Sequence, residues 1–387
     1  MNYEPFTISV SDAALVDLKD RLIRTRPAPE FANQDWAYGT NGEYLQELLD
    51  YWASGYDWRA HEAKINQFNH YKTAIDGVPI HFIYERGKGP NPVPLILSHG
   101  WPWTFWDWHK LIGPLTDPAS YGGDPADSFD VVIPSLPGFG FSTPLEKPGM
   151  NFWNTADLWV TLMREVLGYD KFAAGGGDWG ALLTAQLGHK YAEHLLGIYV
   201  HLMAPLDLFN GPLPDEALYS ADEKKWFERN ENFFAGESGY SAIQSTKPQT
   251  LAFALNDSPA GLCAWILEKR RTWSDCGGDV ERRFTKDELL TTMSIYWFTQ
   301  SFGTSARYYY ECVHNPWQAA HNRTPVVEAP TGIGVFAEEV ILFPRRWAEQ
   351  YYNLQHWQLM ESGGHFAPME EPQRLTDDLR QYFRRFR

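Results

Sequence analysis

Residues 175–181 read Gly175-Gly176-Gly177-Asp178-Trp179-Gly180-Ala181 and put a carboxylate in the middle of a tight, glycine-rich turn. Just before it, Lys171-Phe172-Ala173-Ala174 reads as a short buried strand. Residues 181–191 (ALLTAQLGHKY) have the apolar spacing and good formers of a helix. Small residues at 176 and 180 let strand and helix approach closely, so that the side chain of Asp178 stands clear of both. A carboxylate held this way is a nucleophile, and the covalent product of its attack is an alkyl ester of the protein rather than an acyl-serine. Such attack falls on a saturated carbon that carries a leaving group.

An ester at Asp178 needs a base to hydrolyse it. His365, in Ser362-Gly363-Gly364-His365-Phe366, follows the last strand-like run, and the glycines allow a loop that brings the imidazole back over the sheet edge. An orienting acid belongs between nucleophile and base in chain order. Phe336-Ala337-Glu338-Glu339-Val340 offers two adjacent carboxylates, of which only one can face the imidazole, because neighbouring side chains diverge. His99-Gly100-Trp101-Pro102 ends another buried run. Its turn, with the residue after the nucleophile, assigns the backbone N–H groups of Trp101 and Trp179 to an oxyanion hole.

These residues require a scaffold that brings four loops to one edge. Residues 71–75 and 78–85 flank Asp76-Gly77, a hairpin signal. Continuous apolar runs at 93–98 and 129–134 read as buried strands, and they alternate with helical segments such as 155–168. A further strand is expected at 198–202. From about 209 to 317 the pattern is helical, with helices expected at 222–233, 248–273 and 286–302; strands return at 331–337 and 356–361, and a helix closes the chain at 373–385. The expectation is an α/β-hydrolase fold: a mostly parallel sheet with helices on both faces, made of residues 69–208 and 318–387, with a helical lid at 209–317. Residues 1–68 form an N-terminal extension in which Ser11 caps a helix carrying Leu15, Leu18 and Leu22, and Asn41 caps one carrying Leu45, Leu48, Leu49 and Trp52.

Composition narrows the partners. The 387 residues carry a formal net charge of -16, which argues against nucleic acid or an anionic membrane surface. No run of about 18 apolar residues is present to span a bilayer, and residues 1–10 lack the pattern of a signal peptide. Cys263, Cys276 and Cys312 lack metal-ligand spacing, so free thiols, no metal and a cytoplasmic setting are expected. A homo-oligomer is compatible with the sequence.

Taken together, these motifs resemble those of the microsomal-type epoxide hydrolases of the α/β-hydrolase superfamily, including their bacterial and fungal members. The likeness spans nearly the whole chain: the N-terminal extension, His-Gly-Trp-Pro, Gly-Gly-Asp-Trp-Gly, a helical lid and Gly-Gly-His-Phe-Ala. It implies a cofactor-independent enzyme that turns a small apolar epoxide and water into a vicinal diol through an aspartyl ester. In that family the acid stands five residues before a Pro and eight before a Trp, and Pro344 and Trp347 both point to Glu339. The family's lid also supplies two tyrosines, one in Gly-Tyr-x-x-Ile-Gln and one two residues after an Arg and two before a Glu. Here these are Tyr240 and Tyr309.

Phenols suit the task, because an opened epoxide is an alkoxide that needs a neutral donor. One departure from the family pattern is Trp103, where a small residue is usual, and its bulk is expected to narrow the mouth of the site or reshape the pocket. A haloalkane dehalogenase is the nearest rival reading, since it shares an Asp-Trp turn, but its halide needs no phenols. A catalytically silent ligand-binding protein of the same fold is a rival of another class, and it conflicts with the presence of a candidate for every catalytic role.

Overall fold

Six-residue runs with no polar alternation form strands buried on both faces. Val93–Ser98 (β4) and Phe129–Pro134 (β5) lie side by side at the centre of the sheet. The computed structural model describes residues 2–387. Its nine strands also include Glu4–Phe6 (β1), His70–Ile75 (β2), Val78–Glu85 (β3), Phe172–Gly176 (β6), Leu195–Val200 (β7), Val327–Glu338 (β8) and Tyr352–Gly364 (β9). They form one sheet in the order β1-β2-β3-β5-β4-β6-β7-β8-β9. From β5 onward every pairing is parallel, while β1, β2 and β3 add an antiparallel edge. This is the α/β-hydrolase fold. Open sheets of this kind bind ligands beyond the carboxyl ends of their parallel strands, which is where β4, β6, β8 and β9 deliver Trp101, Asp178, Glu339 and His365.

Locally signalled features form as expected. Ile75 pairs with Val78 across Asp76-Gly77, and both turn residues adopt positive φ, as a two-residue hairpin requires. Ser11 accepts from the N–H of Ala14 to cap Asp12–Ile23, and Asn41 accepts from that of Tyr44 to cap Gly42–Ser54. Two elements of the first 68 residues were not anticipated. The helix Trp58–Ile65 has only Trp58, Ala60, Ala63 and Ile65 as apolar residues among polar and charged ones, which leaves a weak apolar stripe, and the three-residue β1 owes its existence to pairing with β2.

Six α-helices lie between β7 and β8: Lys224–Gly236, Gly239–Thr246, Pro248–Asp257, Pro259–Thr272, Lys286–Thr299 and Phe302–His314. The single helix expected over 248–273 is two helices. Ser258 is extended and its side chain accepts from the N–H of Gly261, and Pro259 occupies the first turn of the second helix, where its missing N–H is harmless. The N-terminal segment braces this helical block. Trp52 Nε1 donates to Ser294 Oγ at 3.1 Å, Tyr44 OH to Glu281 at 3.0 Å and Tyr51 OH to Asp287 at 2.8 Å.

Candidate active site

Asp178 sits between β6 and the helix Trp179–Lys190 with φ 52° and ψ -127°, a strained conformation for a residue with a side chain. The packing around it is close. A Cβ at Gly180 would run into the carbonyl oxygen of Ser98 in β4, and one at Gly100 would run into the Asp178 carboxylate itself. The carboxylate therefore stands at the helix N-terminus, where backbone dipoles favour negative charge. Its Oδ1 accepts from the N–H of Trp101 at 2.7 Å. Its Oδ2 faces His365 Nε2 at 3.4 Å.

His365 follows β9, and its Nδ1 lies 2.6 Å from Oε1 of Glu339, with both side chains 1% exposed. Glu338 points the other way, 48% exposed and 2.6 Å from Arg229 Nη2. Burial alone would strip the proton from His365, but the charges of Glu339 and Asp178 outweigh it and push the imidazole up to about 10. The histidine loop is held by a residue that the sequence reading passed over. Glu370 accepts from the N–H groups of Gly364 at 3.0 Å and Phe366 at 2.9 Å, on either side of His365, and from Asp275 N–H at 2.7 Å in the helical block. The N–H of His365 itself donates to the carbonyl of Trp273 at 2.9 Å.

The two tyrosines come from separate helices, Tyr240 from Gly239–Thr246 and Tyr309 from Phe302–His314. Their rings meet edge to face with centroids 5.8 Å apart. Tyr240 stacks on the indole of Trp101 at 5.1 Å, and Tyr309 packs on Trp179 at 4.6 Å. Burial, reinforced by neighbouring charge that includes Asp178, raises both phenols above the usual tyrosine range, so both are protonated at neutral pH. Tyr308 in the same run turns away to bond Thr155 at 2.8 Å. Trp179 is the first residue of its helix, beside Asp178, and its indole also stacks on Phe209.

These groups line a cavity of about 280 Å³. Asp178, His365, Tyr240 and Tyr309 belong to its polar lining, and Leu202, Phe209, Phe233, Trp273 and Ile341 are among its apolar walls. Trp103 is not on that wall. It is fully buried, stacked on His201 at 5.7 Å and edge-on to His365 at 5.5 Å. The expected narrowing of the mouth is thus incorrect. The residue after Pro102 turns into the core behind the imidazole and stacks on His201, a ring that a Cβ at Gly177 would strike.

The description "Epoxide hydrolase N terminus" fits residues 3–108, and "alpha/beta hydrolase fold" fits residues 93–258. A relative from Stigmatella aurantiaca is 42% identical over 384 residues, 99% of this chain and 85% of its own length. Epoxide hydrolase 1 of Oryctolagus cuniculus is 37% identical over 402 residues, covering 97% of this chain and 87% of that protein. The chain belongs to the epoxide hydrolase family. The structure of Aspergillus niger epoxide hydrolase superposes with a TM-score of 0.86 at 29% identity, over 100% of this chain and 97% of that one. As a member of this family the chain is a hydrolase that acts on epoxides. No helix among its described residues is long and apolar enough to cross a membrane.

Proposed function

We propose that this epoxide hydrolase works through a covalent ester on Asp178, and that its substrate is a compact, uncharged, apolar epoxide. One observation supports the covalent route above the others: the two oxygens of Asp178 have different surroundings. Oδ1 is engaged by the Trp101 N–H, whereas Oδ2 faces His365 across the cavity. Attack by Oδ2 on a ring carbon breaks the C–O bond and leaves the ester carbonyl oxygen, Oδ1, already in an oxyanion hole to which the N–H of Trp179 also belongs. Tyr240 and Tyr309 hold the epoxide oxygen, and one of them protonates the alkoxide as it forms.

Ester formation changes the histidine. While Asp178 is ionised, two carboxylates hold a proton on His365; alkylation removes one of those charges, that proton passes to the phenolate left by ring opening, and the neutral imidazole is then able to accept a proton from water. Glu339 then stabilises the imidazolium as hydroxide attacks the carbonyl carbon. Collapse of the tetrahedral intermediate expels the diol oxygen, which takes the imidazolium proton. The acid regenerated at Asp178 returns its proton to His365, which restores the resting ion pair. Residues 209–317 act as the lid that carries both phenols, above a core made of 69–208 and 318–387.

Substrate size follows from the cavity, which is at the small end for organic ligands and has no lysine or arginine among the described residues of its wall. The test is to mix the His365→Gln variant with styrene oxide and measure intact mass. An increase of one substrate mass, located on the peptide that contains Asp178, is expected. An unmodified protein that still produces diol would overturn the covalent route.

A further inference from the structure

The helix Pro259–Thr272 ends in three consecutive basic residues that fan out to three destinations. Arg271 crosses the ring of Trp36 in the N-terminal segment. Arg270 is buried against Asp107 at 2.6 Å and over the ring of Phe366. Lys269 turns toward the active site. Its ammonium lies 5.1 Å from the ring centroid of Tyr240 and 5.6 Å from that of Trp273, and its side chain is only 8% exposed. Two carboxylates hold it there, Glu268 in close contact and Glu237 at 3.9 Å. They are 22% and 36% exposed, so water screens them more than it screens the ammonium.

An ammonium over a phenol ring is attracted to the ring face, and the attraction grows as the ring becomes electron-rich. When a tyrosine donates its proton to an alkoxide, negative charge develops on the phenolic oxygen and spreads into the ring carbons. A cation fixed on that ring interacts more strongly with the charge-separated transition state than with the resting phenol, which is what accelerates a step. Trp101 stacks on Tyr240 with ring planes 6° apart, which fixes the ring's orientation against this cation. Burial makes Tyr240 a poorer acid, and the charges of Asp178, Glu268 and Glu237 push the same way; the ammonium on the ring face is the charge placed to oppose them as the phenol loses its proton.

We infer that Lys269 is a positioning residue for ring opening, acting through Tyr240 by stabilising the charge that this phenol acquires as it donates to the alkoxide. The inference rests on the donor role proposed for Tyr240. It predicts a defect confined to alkylation, since ester hydrolysis does not use the phenol as a donor.

A double-mutant cycle of Lys269→Met and Tyr240→Phe tests it. Single-turnover alkylation of Asp178 by styrene oxide and the following ester hydrolysis are measured separately in wild type, both single variants and the double variant. Lys269→Met is expected to slow alkylation about tenfold and leave ester hydrolysis within about twofold. In the Tyr240→Phe background, which keeps the ring and loses the hydroxyl, the same change is expected to cost less than about twofold. Lys269→Arg, which keeps a cation on the ring, is expected to retain most of the alkylation rate. An equal loss in both backgrounds, or a loss shared by both steps, means that Lys269 acts through packing, and the inference falls while the reading of Tyr240 stands. If Tyr240→Phe alone leaves alkylation unchanged, the reading of Tyr240 falls and the inference with it. Should Lys269→Met fail to fold, Lys269→Gln keeps a polar head beside the two carboxylates, and the same outcomes decide.

Discussion

Oε1 of Glu339 meets Nδ1 of His365 at 2.6 Å, and neither side chain has appreciable access to solvent. In the proposed ester route this buried pair stabilises the imidazolium that forms as water attacks the ester. Glu339→Gln is therefore expected to lower the rate of ester hydrolysis by about 10²- to 10⁴-fold. Glu338→Gln removes a surface contact with Arg229 and is expected to change it less than about twofold. Steady-state kcat with both variants measures the contrast, and comparable losses would show that the 2.6 Å contact is not the one that matters.

The tyrosines are expected to act before that step. Either phenol alone can still donate one hydrogen bond to the alkoxide, so Tyr240→Phe and Tyr309→Phe should each slow alkylation by about 10- to 100-fold, and the double change should nearly abolish it. Tyr308→Phe, which loses only a bond to Thr155, should not slow alkylation. Stopped-flow quenching of Trp101 or Trp179 fluorescence, or rapid-quench mass spectrometry, reports the step directly. Unimpaired alkylation in the double variant would remove both phenols from the chemistry.

Much of this arrangement is readable in the chain because it is local. The turn at 175–180 needs small residues at fixed offsets, the hairpin needs Asp76-Gly77, and the caps at Ser11 and Asn41 act within three residues. What escapes the sequence is whatever depends on how the helical block is docked on the sheet. Lys269 belongs to a basic run that reads as an ordinary complement to a helix C-terminus. Trp273 and Glu370 acquire their roles only because the segment around 273–275 touches the histidine loop. Trp103 shows the same limit in reverse, since nothing in the sequence distinguishes a ring that faces substrate from one that faces the core.

Buried neutral histidines make acid sensitivity predictable. His99 and His201 are fully buried, and burial lowers them to about 4 and about 3; His81, in the buried chain of His70, His81 and Ser135, is lowered in the same direction. Below the unfolded value of 6.5 the unfolded chain binds protons that the folded chain refuses, so stability is full above 6.5 and falls as pH drops toward 4. Each such histidine contributes up to about 1.4 kcal/mol per pH unit in that window. His365 has the opposite sign: its contribution is complete below 6.5 and is lost as pH rises through about 10. Urea unfolding at pH 7 and pH 5 is expected to show a lower midpoint at pH 5, and a higher one would mean that these side chains are protonated in the folded protein.

The origin of the diol's new oxygen separates the ester route from direct attack by water. In the ester route that oxygen comes from Asp178 Oδ2, and the solvent oxygen enters the carboxylate when the ester carbonyl is attacked. A single turnover in ¹⁸O-water with enzyme in excess is therefore expected to leave the first diol largely unlabelled and the peptide containing Asp178 heavier by one ¹⁸O. A second turnover with the same enzyme in ordinary water should then release labelled diol in about half of the events, because either carboxylate oxygen carries the label with equal chance once the side chain has rotated. If Asp178 cannot rotate, held by the Trp101 N–H on Oδ1, the released fraction departs from one half, and the departure measures how firmly that contact fixes the nucleophile. Label in the first diol, with none in the protein, would make water the nucleophile and Asp178 its general base.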